Sequence, residues 1–68
     1  TLLPVIQLKK ESNLKQILTG KPLMKQDINE KSIKNIDKFC LFLDDRFLGV
    51  YRTVSEGDII ARAEFVFN

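Results

Sequence analysis

Two apolar runs parted by a three-residue polar break constrain this chain more than any other feature. Phe39-Cys40-Leu41-Phe42-Leu43 is uninterrupted, Asp44-Asp45-Arg46 breaks it, and Phe47-Leu48-Gly49-Val50-Tyr51 resumes it. β-rich runs joined by so short a polar break predict a hairpin. A third run, Ile59 to Phe67, alternates. Ile59, Ala61, Ala63, Phe65 and Phe67 fall on one face, and Ile60, Arg62, Glu64 and Val66 on the other. That period of two is what a strand produces when one side covers a core. All five Phe residues and Tyr51 lie in these patterns and are expected inside, since large apolar side chains are mostly buried.

The rest of the chain is punctuated by its turn residues. In Leu2-Leu3-Pro4-Val5-Ile6-Gln7-Leu8, Pro4 cannot donate to a ladder, which predicts an edge strand or the start of one. Lys9 to Thr19 predicts a short helix with Leu14, Ile17 and Leu18 on one stripe and Ser12 as its N-cap. Gly20 supplies a left-handed stop, and Pro22 prevents resumption. Leu23-Met24-Lys25 predicts a brief strand. Residues 26–38, rich in Asn, Ser and Asp, predict an irregular connection that packs Ile28, Ile33 and Ile36 on the core. Arg52 to Asp58 predicts a turn around Gly57.

These elements give a mainly β fold with one short helix, an α+β chain of about five strands. So many strands with a single helix leave exposed edges, and curling into a small pseudo-barrel removes most of them. The helix is expected to plug one end; an open sheet with the helix on one face fits the same pattern. At 68 residues the chain makes one domain. It begins at Thr1 without a methionine, which suggests a piece of a longer protein.

Catalytic chemistry finds little to use here. The chain has no His and one Cys, so Cys40 has no imidazole to act as its base and reads as a small apolar side chain in a strand. No cluster of Cys and His offers a metal site, and no cofactor is expected. A lone Cys makes no internal disulfide and fits a reducing compartment, the cytoplasm. No apolar stretch reaches the length of a membrane span. Eleven Lys and Arg against nine Asp and Glu leave a net charge of +2, a mildly basic balance.

The order of segments resembles the C-terminal, PUA-like domain of the bacterial tRNA pseudouridine synthase B family. The residues that carry the likeness are Leu3-Pro4-Val5-Ile6 at the start, the helix closed by Gly20-Lys21, and Asp44-Asp45-Arg46-Phe47-Leu48-Gly49 after an apolar strand. Phe65-Val66-Phe67 closes the last strand. The likeness covers essentially the whole chain, least at residues 26–35. The last strand departs from the family, holding Ala63-Glu64-Phe65 where a proline and basic residues are usual.

The resemblance implies an accessory module that helps position tRNA, at its T-arm or acceptor arm, while a separate catalytic domain isomerises a T-loop uridine. The family's catalytic aspartate lies in a Gly-Leu-Asp-Pro-type segment absent here, and Asp44 and Asp45 read as turn residues. By position in such domains, Lys10, Lys21, Lys25 and Arg62 would face the RNA. Lys9, Lys10, Lys15, Lys21 and Lys25 crowd this region against one acid, Glu11, which suits phosphate contact. With its aromatics inside, the chain is expected to read RNA by shape and phosphate rather than by stacking loose bases. A second expectation is a monomeric module whose main partner is the catalytic domain of its own chain, with little RNA contact. An exposed apolar patch would favour it.

Overall fold

The computed structural model describes residues 3–9 and 14–67. In chain order the elements among the described residues are strand β1 (Val5–Gln7), helix α1 (Leu14–Leu18), strand β2 (Leu23–Met24), a 3-10 turn (Glu30–Ile33), and strands β3 (Lys38–Leu43), β4 (Arg46–Glu56) and β5 (Ile59–Val66). The fold is mainly β: a single curled sheet in the order β1-β3-β4-β5-β2, a half-barrel with β1 and β2 as its edges. β1 runs parallel to β3, and the other pairings are antiparallel.

The hairpin of β3 and β4 forms where the sequence places it. Its turn holds Asp44 at φ 53, a left-handed value that Asp tolerates better than bulkier residues. The Gln7 side chain clamps this turn from the edge strand. Its Oε1 accepts from the Asp44 amide at 3.0 Å, and its Nε2 donates to the Asp44 carbonyl at 3.4 Å.

Two expectations are corrected. β4 continues through Arg52–Glu56, and the turn is confined to Gly57-Asp58. Cross-strand pairs Arg52–Arg62 and Thr53–Ala61 keep the segment extended, and Thr53 Oγ1 donates to the Ile36 carbonyl at 2.7 Å. The helix is shorter than Lys9–Thr19. Lys9 lies in a bend before it, donating its amide to the Asp27 carbonyl at 2.8 Å, while Lys10, Glu11 and Ser12 lie outside the described residues. The first strand, Val5–Gln7, starts directly after Pro4 and forms an edge of the sheet, as a proline that adds no amide to the ladder predicts.

The core collects one face of each long strand. Phe39, Leu41, Leu48, Tyr51 and Ala61 are fully buried, joined by Ile17 of α1, Leu23 of β2 and Ile28 and Ile33 of the connection. Each large side chain so removed from water contributes about 1.5–3 kcal/mol. The irregular connection thus does what its isoleucines predict, with one addition. Asp27 is buried, and its Oδ2 accepts from the Met24 amide at 2.9 Å, pinning the connection to β2. Asn29 caps the 3-10 turn by accepting from the Lys31 amide. Gly20 takes φ 88 after α1, the left-handed stop expected of it. Among the described residues no helix is long and apolar enough to cross a membrane.

Candidate nucleic-acid interface

Two surfaces stand out once the strands are in register. The first is a cleft of about 510 Å³ between the 3-10 turn and the far end of the β4–β5 hairpin. Lys25, Lys31 and Lys34 line it together with Thr53, Ser55 and Ile60, and among the described side chains no acidic one does. Local chemistry sets this up: the Asn29 cap tightens the chain into one turn, which brings Lys31 and Lys34 to a single rim. Lys25 reaches the other side because its amide is tied to the Asp58 carbonyl at 3.3 Å. The three lysines share the cleft with Thr53 and Ser55 and with the apolar Ile33, Val54, Ile59 and Ile60, an arrangement in which the amines can meet a phosphate or a similar anion.

The second surface is the sheet's outer face. Tyr51, Phe39, Leu41 and Ile6 point inward, so their neighbours Val50, Arg52, Cys40, Phe42 and Val5 point outward. Register then places Val5, Cys40, Val50 and Phe65 side by side across four strands. Beside them the rings of Phe42, Phe47, Phe65 and Phe67 form a connected cluster. Phe47 stands 5.5 Å from Phe42, 6.4 Å from Phe65 and 5.8 Å from Phe67 between ring centroids. Phe65 is 52% exposed and Phe67 56%, which corrects the expectation that these rings belong to the core. Cys40 is half-buried on this outward face rather than enclosed.

The strict alternation of residues 59–67 misplaces Phe65 because β5 is irregular. Its register against β4 shifts between Val50 and Tyr51 and again between Thr53 and Glu56. At the first shift Glu64 is the extra residue on β5; such a bulge reverses the faces beyond it, so Ala61 is buried while Phe65 turns outward.

A row of cations crosses the same face. Lys38 pairs with Arg52 and Arg52 with Arg62 in register. Glu64 answers two of them, 3.3 Å from the Lys38 amine and 3.5 Å from Arg52 Nε. Glu56 holds Arg62 in a fork, with contacts of 3.0, 3.0 and 2.6 Å. That hydrogen-bonded fork lowers the Glu56 pKa and raises that of Arg62. All five groups are solvent-accessible, and exposed pairs of this kind hold their partners only weakly.

The four residues expected to face RNA therefore do not form one cluster. Lys25 lines the cleft, Lys21 is exposed just after Gly20, Arg62 is on the outer face against Glu56, and Lys10 lies outside the described residues. Sequence reasoning missed Lys31 and Lys34 by reading their segment as a passive connection; Asn29 as a cap two residues before Lys31 was the available signal. Among the described residues no group of three or more Asp, Glu or Cys side chains is placed to hold a metal ion. No protein family, curated protein or solved structure matches the chain in comparison with known proteins.

Proposed function

We propose that this chain is a PUA-like accessory RNA-binding domain of a tRNA pseudouridine synthase, acting in the cytoplasm. It helps hold the T-arm or acceptor arm of tRNA while a separate catalytic domain isomerises the uridine. By itself the module is not catalytic: the chain has no histidine, and its one cysteine is half-buried beside Val5 and Val50. The observation that supports the reading best is the cleft that Lys25, Lys31 and Lys34 line with no acidic neighbour among the described side chains of the lining.

Three lysines on phosphates make binding salt-sensitive, with a log–log slope of about −2.7 on a duplex arm. The test is titration of the chain with a T-arm RNA hairpin across a range of salt. The double variant Lys31→Ala/Lys34→Ala should lower affinity and flatten the slope by about 2. Wild-type binding with no salt dependence, or a double variant that binds as wild type does, would sink the assignment.

The outer apolar face favours a second reading, in which the module docks on the catalytic domain of its own chain and touches RNA little. Apolar patches of this kind mark interaction sites. Hairpin binding by the isolated chain supports the first reading. Its absence, with association to the catalytic domain, supports the second.

A further inference from the structure

We propose that the outer face of the sheet is a stacking surface for unpaired nucleobases of an RNA strand, with the Lys38–Arg52–Arg62 row taking the adjoining phosphates. The inference rests on the RNA reading but uses a different surface from the lysine cleft. Single-stranded nucleic acid is bound by exposed rings beside cations, because every base has a face that can stack and every nucleotide carries a phosphate.

The outer face holds both parts. Phe65 and Phe67 are more than half exposed and lie against Phe47, whose ring is in turn packed on Phe42. The rings are therefore held from behind, and stacking on them costs little side-chain ordering. Along β4 the cation row begins five residues from Phe47, roughly 17 Å at the rise of a strand. That span matches a strand of a few nucleotides rather than one small ligand.

Charge complementarity favours a polyanion over an apolar protein. Three cations stand in the row against two carboxylates, Glu56 and Glu64. The carboxylates hold the cations through exposed pairs that an arriving phosphate can replace at little cost. A flat apolar partner would have to cover these five charges or leave them at its rim. Exposed Phe rings also distinguish the two surfaces: the cleft takes backbone alone, whereas the outer face takes bases.

The test uses the 68-residue chain, a short uridine-rich RNA carrying an aminopurine, and the T-arm hairpin as a separate probe. The single strand is expected to bind with its aminopurine emission quenched by stacking. Phe65→Ala should lose roughly fivefold or more of that affinity and most of the quenching, while Phe65→Tyr keeps both. Hairpin binding through the cleft should survive Phe65→Ala, which also shows that the variant folds. Phe67→Ala serves as an independent second variant.

Hairpin binding with no binding of the single strand overturns this inference and leaves the cleft reading standing. So does single-strand binding that is unquenched or that survives Phe65→Ala. A parallel loss of hairpin binding in both variants assigns their effect to folding and overturns it as well. Loss of hairpin binding in Lys31→Ala/Lys34→Ala, with quenching of the single strand intact, separates the two surfaces as expected.

Discussion

Gly49 offers the sharpest test of how this sheet is built. It lies in β4 opposite Val66, at the shift where Leu48 and Gly49 together face Leu41. A Cβ added there would fall well inside contact distance of the Phe65 carbonyl oxygen and within 3.1 Å of Val66 Cα. Both obstacles are backbone, which cannot swing aside as a side chain does. Gly49→Ala therefore pushes β5 away from β4 and weakens the bond from the Phe67 amide to the Leu48 carbonyl, 2.9 Å in the native fold. Overpacking costs about 1–3 kcal/mol, and the strained hydrogen bond about 1 more. The reduced freedom of the unfolded chain returns about 0.5–1 kcal/mol. The net loss is about 2–3 kcal/mol, a large share of the roughly 3–10 kcal/mol expected of a domain this size. At about 4–8 °C per kcal/mol, Tm should fall by roughly 10–20 °C.

Gly20→Ala supplies the control. Gly20 also has a positive φ, but nothing lies within 4 Å of a Cβ built there. It should lose only about 1 kcal/mol, roughly 5 °C, from the left-handed backbone. The assay is thermal unfolding by far-ultraviolet circular dichroism, with amide shifts read at Phe65 and Val66. A Gly49→Ala protein that melts within a few degrees of wild type, or above Gly20→Ala, refutes the reasoning. Shifts spread evenly over the chain would refute it too.

Two further outcomes follow from buried and paired groups. Burial, with a smaller effect from Asp27, pushes the Tyr51 phenol up to about 12 from 10.0. A raised pKa contributes stability that is fully present below pH 10 and is lost as pH rises toward 12, about 3 kcal/mol across the window. Tyr51 is the chain's one tyrosine, so phenolate absorbance of the folded chain should rise only toward pH 12; ionisation near pH 10 in a folded chain would contradict this. On the outer face, Glu56→Gln removes the partner that holds Arg62. Single-strand affinity should rise and the salt slope steepen by about 0.7, one more phosphate contact. An unchanged slope means that Arg62 takes no part.

How much of this was legible beforehand varies by element. The β3–β4 hairpin was, because an apolar run, an Asp-Asp break and a second run leave few other conformations open. The stop at Gly20 and the isoleucines of the connection were also legible, since each depends on one residue type and its immediate neighbours. The extent of β4 was not. Arg52–Glu56 is polar enough to suggest a turn, and only the partners supplied by β5 and the Ile36 carbonyl keep it extended. The candidate sites divide in the same way. A surplus of lysine near Gly20 was visible, yet which lysines meet was decided by the 3-10 turn and by the tie between Lys25 and Asp58.

By itself, then, the sequence determined the mainly β class, the single helix, the hairpin and the lack of histidine chemistry, because composition, period and turn residues act over a few neighbours. Only the tertiary structure decided which face each aromatic occupies. One register shift in β5, at Glu64, turns Phe65 to the solvent, and its position depends on how β4 and β5 fit together across the sheet. A period of two records alternation; it holds no record of where a bulge will reverse it.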